Sequence, residues 1–345
     1  MSLSYVDGVN FRGCSFANYM SDAANRGVGI EAWDAGFRIS PGCTTSGIDP
    51  CPDPILTYFS GFEDAIYAYT WSETPSIFIN GAVFDDNGFG IKLEAINYVT
   101  VINSEFNIGQ SFKGLEQCST VYGVGIYLHH CVYYTIENNT FNGGYSGNPN
   151  TQDNYIGIWV QNNHFEFFDV QDNEIYRNTF NHLTDGNLAI GKHVYAENGF
   201  WVGGLQYKCN NNSNNKYDFR TGNIGNAGIW LDQGSFERAA GNKFSKHSTP
   251  PGSDFANFAK GIAYGLWYFY WPDPYDLSQF PENVINVIPF PANNPHPCTD
   301  NYGGGTGQIN LMGLTEEQKD HFEQMLSENQ AIYNSIYNVL CGLIC

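Results

Sequence analysis

The stretch YTIENNTFNGG, residues 134–144, mixes polar and apolar residues in equal measure, and it recurs. It returns as IYRNTFNHL at 175–183 and as AAGNKFSKH at 239–247. Aligned on its phenylalanine, the phrase puts Phe16, Phe84, Phe106, Phe141, Phe180 and Phe244 in one column. Five residues earlier stand Phe11, Ile79, Val101, Ile136, Ile175 and Ala239. Two residues earlier stand Cys14, Ala82, Ser104, Asn139, Asn178 and Asn242. Two short strands joined at a corner need this sequence: apolar residues facing inward, and a corner residue that tolerates positive φ. Asparagine does so. The asparagine two before the Phe is therefore expected at the left-handed corner, with stacked asparagines bonding to one another or to backbone.

A second phrase interleaves with the first. It reads GIEAW at 29–33, AIYAY at 65–69, GIKLE at 90–94, GIYLH at 125–129, GIWVQ at 157–161, LAIG at 188–191, GIWLD at 228–232 and GIAYG at 261–265. Its apolar starts are 25 to 41 residues apart, and a period in that range signals a solenoid. No unit has enough apolar surface to fold alone, so stacking must bury Ile, Leu and Phe in continuous columns. A β-sandwich is the competing all-β arrangement, but the interleaved phrases favour a right-handed parallel β-helix of about eight coils over residues 1–285. At ordinary strand spacing that is roughly 40 Å of stacked sheet. A Pro/Gly-rich connector over 286–314 and a C-terminal α-helix over 315–345 are expected to follow. Thr315 and Gln318 have the spacing of a capping box, and Phe322, Met325, Leu326, Ile336 and Leu340 form the apolar stripe.

Composition bounds the function. Net charge is −20, with 15 basic against 35 acidic residues among 345. Such a surface repels nucleic acid, whose phosphates need clustered Lys and Arg. No run of 18 apolar residues predicts insertion into a membrane. Nine cysteines suit an oxidising compartment. Cys43 and Cys51 bracket the short loop CTTSGIDPC and are expected to bond; Cys118 with Cys131 and Cys341 with Cys345 are weaker pairings. The export signal such a protein needs is absent from this sequence and is read as removed.

NNTF and RNTF with following GI-x-L strands, and the closing GNKFSKHS, GIAYGLWYFYWPD and PENVINV, resemble the large secreted right-handed parallel β-helix proteins of Bacteroidetes-type bacteria. These share the pectate-lyase-like superfold and are associated with the type IX secretion route. The resemblance implies an extracellular or cell-surface location and surface adhesion or glycan handling.

Strand alternation predicts an outward face on the second phrase. One outward column reads Glu31, Tyr67, Lys92, Tyr127, Trp159, Ala189, Trp230, and the next Trp33, Tyr69, Glu94, His129, Gln161, Gly191, Asp232. Aromatic rings beside polar groups suit a sugar, through stacking and bonds to hydroxyls. Tyr127, His129, Trp159, Trp230 and Asp232 are the expected ligand contacts, with Ala189 and Gly191 leaving a low point between two indole walls. The expected partner is a polysaccharide or other surface component, met by a monomer. Lys92, Tyr127 and His129 are the candidates for lyase chemistry, the enzyme reading being the alternative to a binding module and a plain spacer the third. Glu94 and Asp232, four coils apart at about 19 Å by strand spacing, are too distant for a glycosidase pair. No cofactor is expected. The acidic stretches FDDNGFG at 84–90 and YWPDPYD at 270–276 could offer calcium oxygens, but neither has the spacing of a calcium loop.

Overall fold

The structure is a computed structural model that describes residues 1–44, 51–71, 75–109, 123–147, 154–162, 173–197, 200–222, 228–247, 252–259 and 265–299. Met1–Thr299 form one compact unit. The expected helix over 315–345 lies outside the described residues.

The chain visits three long parallel sheets in rotation. Sheet A holds ten strands in chain order: Ser2–Ser4, Val28–Trp33, Asp64–Tyr69, Phe89–Glu94, Gly123–His129, Tyr155–Asn162, Asp185–Gly191, Tyr217–Gly222, Ser253–Asn257 and Val284–Ile285. Sheet B, from Val9–Arg12 to Gln206–Lys208, and sheet C, from Ser15–Ala17 to Asn211–Ser213, have seven each. As far as Asn211–Ser213, a strand of A is followed by one of B and one of C before the chain returns to A one rung on; among the described residues the last three strands of A follow with none of B or C between them. The protein is thus all-β, with large parallel sheets in a β-helix-like arrangement. Stacking the coils pairs each strand with those above and below it along the axis.

The phenylalanine column exists with one exchange of members: it gains Phe59, while Phe244 lies outside the stack, edge-on to Phe219 and Tyr268. Phe16, Phe59, Phe84, Phe106, Phe141 and Phe180 follow one another in register on sheet C. Their ring centroids are 4.6–5.1 Å apart, with planes within 10° of parallel. That spacing is the strand spacing, so the rings stack because the backbones do. Phe59 escaped the sequence alignment because Pro54, not a large apolar residue of a sheet B strand, stands five residues before it, ahead of its strand Thr57–Ser60. Above Phe180 the column passes to Asn212; there Tyr207 and Phe219, 4.7 Å apart, fill the core.

The glycine of the second phrase has its reason here. A Cβ on Gly125 would stand 2.6 Å from Phe141 Cδ1, and one on Gly157 would stand 2.8 Å from Phe180 Cδ1. The chain turning into sheet A passes too close to the ring above for any side chain.

The corner differs by one residue from expectation. Positive φ belongs to Asn103, Asn138, Arg177, Cys209 and Gly241, each one position before the asparagine column. Asn139, Asn178, Asn210 and Asn242 instead point inward and are buried. Each accepts from the backbone N–H of its counterpart one coil back: Ser104 to Asn139 (2.9 Å), Asn139 to Asn178 (2.9 Å), Asn178 to Asn210 (3.0 Å) and Asn210 to Asn242 (2.9 Å). Each donates its amide to a carbonyl beneath, on Val101, Ile136, Ile175 and Tyr207. The amide thus satisfies the backbone groups that the corner takes out of the ladder. An exposed left-handed corner accepts Arg or Cys as well as Asn, which is why the corner itself shows no constant residue.

One phrase leaves the column to which the sequence assigned it. The rung after Asp185–Gly191 is Tyr217–Gly222, not GIWLD, and the next is Ser253–Asn257; GIAYG falls almost wholly outside the described residues. Asp232–Gln233 joins Leu266–Tyr270 and Val287–Pro291 in a separate three-stranded parallel sheet. Part of the expected connector is therefore strand. Val287–Pro291 is the outer strand of that sheet, where its two prolines cost no ladder bonds.

Candidate functional site

Sheet A presents its second phrase outward, as alternation requires. Ile91, Leu93, Ile126, Leu128, Ile158 and Val160 join the main core, while Lys92, Glu94, Tyr127, His129, Trp159 and Gln161 lie on the other face. One outer ladder runs Glu31, Tyr67, Lys92, Tyr127, Trp159, Leu188, Arg220. The next runs Trp33, Tyr69, Glu94, His129, Gln161, Ile190. Five rungs are as the sequence implied. At the sixth the register is shifted by one residue: Leu188 follows Trp159, and Ala189 turns inward opposite Val160. The shift arises because Asn187, not Leu188, continues the inner Ile column.

Trp230 and Asp232 consequently do not share a face with Trp159. Trp230 hydrogen-bonds through its backbone to Leu205. Asp232 pairs in register with Trp267, and burial raises its carboxyl pKa. The low point expected between two indoles is absent. Leu188 and Ile190 fill it, packing with Val124, Ile156, Phe89, Tyr127 and Trp159 in a second apolar cluster. Trp159 Nε1 is buried without a hydrogen-bond partner.

The open part of the face lies nearer the N-terminus. Trp33 is 39% exposed. It stacks on Tyr69 (6.0 Å between centroids, 15° between planes), and Tyr69 stacks on Tyr67 (5.2 Å, 28°). Lys92 Nζ lies 4.6 Å from the centre of the Tyr67 ring and 3.9 Å from both Asp64 Oδ2 and Glu94 Oε1. The two carboxylates are thus within twice that distance of each other, far closer than the Glu94–Asp232 pair considered from sequence. Burial pushes Asp64 up to about 6, with Lys92 opposing. Tyr67 is pushed up to about 12 by burial and by Glu94, and Tyr127 likewise. Tyr127 donates to Gln161 Oε1 at 3.1 Å. Both phenols keep their protons at neutral pH, which disfavours Tyr127 as a lyase base. His129 stacks on Tyr127 and meets His130 at a tilt of 45°. Asp64 was missed in the sequence because it precedes the AIYAY phrase and breaks its apolar pattern.

A second acidic constellation lies away from this face. Asp218, His247 and Asp254 bring their ligating atoms within 4.8 Å of one another. Every oxygen there already has a donor. Ser245 gives its N–H and its hydroxyl to Asp218 (2.7 and 2.6 Å), and His247 Nδ1 gives to Asp254 (2.7 Å). His247 Nε2 faces the Asn215 carbonyl. Both ring nitrogens face acceptors, so the imidazolium satisfies both at once. Burial alone would lower the His247 pKa, but the Asp254 bond and the Asp218 charge raise it on balance. Burial would raise Asp254, and its hydrogen bonds from His247 and Glu282 outweigh this and lower it. Burial pushes Asp218 up to about 7.

The signs give a pH prediction. The raised His247 contributes stability that is complete below its ordinary pKa and lost as pH rises through the folded value. Asp218, also raised, works against the fold as pH climbs from its ordinary value to about 7. Asp254, lowered, loses its contribution only in acid. Thermal midpoints are expected to fall as pH rises above the ordinary histidine value of 6.5, with His247→Gln flattening the slope. An equal slope in both proteins would show that the clasp is not what titrates.

Cys43 and Cys51 are disulfide-bonded, as expected, and so are Cys209 and Cys298, a pair the sequence did not suggest. Cys131 is a buried free thiol whose pKa burial pushes up to about 12, and its suggested partner Cys118 lies outside the described residues. Cys341 and Cys345 also lie outside them. Among the described residues no helix is long and apolar enough to cross a membrane. No protein family, curated protein or solved structure matches the chain.

Proposed function

We propose that this chain is a non-catalytic module of an extracellular or cell-surface protein, built as a right-handed parallel β-helix, that binds a neutral polysaccharide on the outer face of sheet A. The ladder of Trp33, Tyr69 and Tyr67 carries the reading. Trp33 and Tyr69 are neighbours on adjacent rungs, Tyr67 adds a third ring two residues back on the strand of Tyr69, and Glu31, Lys92 and Glu94 border them. A sugar chain is itself a linear repeat and meets successive rungs with its apolar faces, while the bordering charges take its hydroxyls. The net charge of −20 disfavours anionic polymers. Two disulfides are compatible with an oxidising compartment. Each ring contributes about 0.5–1.5 kcal/mol, so useful affinity needs several rungs. Titration with neutral polysaccharides is expected to show binding that weakens by that amount in Trp33→Ala and again in Tyr69→Ala. Undiminished binding by the double variant would remove the ladder from the account.

One observation favours a second reading, a glycoside hydrolase. Asp64, raised to about 6, and Glu94 stand on either side of Lys92, the division into acid and base that such enzymes use. On this reading incubation with polysaccharide releases new reducing ends, and Asp64→Asn abolishes the release. Binding without release supports the module.

A further inference from the structure

The Cys209–Cys298 disulfide has a neighbour that a simple cross-link does not require. His296 Nδ1 lies 2.9 Å from Cys209 Sγ. The same nitrogen accepts the backbone N–H of Cys298 at 3.0 Å. That bond makes Nδ1 the nitrogen without a proton, and the edge of the ring that carries its one lone pair is the edge nearest Cys209 Sγ. Both sulfurs and Nδ1 lie within 4.8 Å of one another. Ligand atoms around one tetrahedral ion with thiolate and imidazole ligands stand about 3.5 Å apart.

The fold shapes this spot. Cys209, at φ +56°, occupies the left-handed corner that Asn103, Asn138 and Arg177 hold in the coils before it, which turns its side chain off the ladder. The next coil puts Gly241 there. A Cβ on Gly241 would stand 2.8 Å from His296 Cβ and 3.0 Å from each sulfur. The missing side chain leaves the space in which the two cysteines and the histidine meet. His296 and Cys298 reach it together because only Pro297 separates them.

We propose that Cys209, His296 and Cys298 form a site for a soft or borderline divalent cation of the zinc class, open when the pair is reduced and closed when it is a disulfide. A dithiol reductant opens it. The reductant gives two electrons and two protons to the Cys209–Cys298 bond and leaves as its own disulfide. The cation then displaces a proton from each thiol and takes the Nδ1 lone pair in place of the Cys298 N–H, which is left to water. Two thiolates and one neutral imidazole cancel its charge, and water takes the fourth position. A small-molecule disulfide takes the two electrons, leaves as its two thiols, restores the Cys209–Cys298 bond and so releases the ion.

Cobalt(II), which reports its thiolate ligands by charge-transfer absorption, tests this on the full chain under anaerobic conditions. The reduced protein is expected to take up cobalt with thiolate absorption, and the untreated protein to show none. Cys209→Ser/Cys298→Ser is expected to lose one equivalent of thiolate-bound cobalt. It is compared with reduced wild type, because both then lack the cross-link. His296→Ala retains the cross-link until reduction, so its folding can be checked in the oxidised form. It is expected to bind at least about tenfold more weakly. Absorption that is the same in both variants as in wild type would place the metal on other thiols and overturn the proposal. So would the absence of uptake by the reduced protein, or equal uptake by the oxidised one.

Discussion

Replacing Phe141 by alanine is expected to lower the stability of the unit by about 3–5 kcal/mol, the range for buried aromatic truncations. Phe141 is fully buried, with Phe106 4.7 Å below and Phe180 5.0 Å above. The site cannot collapse to fill the gap, because sheets A, B and C hold the coil spacing on all sides. The loss also falls on the contact between coils, the term through which a solenoid holds together. Phe141→Leu, which leaves a smaller gap, is expected to cost less. Chemical denaturation followed by tyrosine and tryptophan fluorescence reads both. An unchanged midpoint in Phe141→Ala would mean that the ring is not in the stack.

Asn178→Ala is expected to cost as much, by different physics. Asn178 donates to the carbonyls of Ile136 (2.9 Å) and Tyr176 (3.0 Å) and accepts from the backbone N–H of Asn139 (2.9 Å), all buried. Removing the amide strands an N–H and a carbonyl away from water, at about 1–3 kcal/mol each. Asn181 makes the same kind of bond on the outer surface, from its amide to Asn142 Oδ1 at 3.1 Å. Water replaces that bond when it is lost, so Asn181→Ala is expected to cost under about 1 kcal/mol. The pair isolates burial from chemistry. Equal losses in the two variants would show that the inner ladder has no special weight.

The inner ladder also shows where sequence reading succeeds. ENNTF and RNTF repeat because three constraints coincide on neighbouring residues: an exposed corner, a buried amide and a stacked ring. Period and ring column were therefore legible. The division of labour between the two asparagines of ENNTF was not, since either can adopt positive φ. Arg177 and Cys209 at the corner carry the clue, because neither could serve as the buried amide. The register shift at Asn187 was illegible for a related reason. LAIG alternates correctly whichever residue faces inward, and only the polar Asn187 turning inward decides it, against hydrophobic expectation. Asp232 then goes to a different sheet from Trp159, and Trp230 lies outside any strand. Asp64 and the Cys209–His296–Cys298 group could not be read from spacing. The first hides at a strand start, and the second joins positions 89 residues apart in the chain.

Side-chain footprinting by hydroxyl radicals, with and without a saturating neutral polysaccharide, tests the binding face most directly. Oxidation of Trp33, Tyr67 and Tyr69 is expected to fall when the sugar is bound. Tyr275, 97% exposed and far along the chain from these strands, serves as the unprotected reference. Trp267, beside Asp232, is expected to stay unchanged. Protection confined to Trp267 and its sheet, with Trp33 and Tyr69 oxidised as in the free protein, would contradict the assignment of the outer face of sheet A.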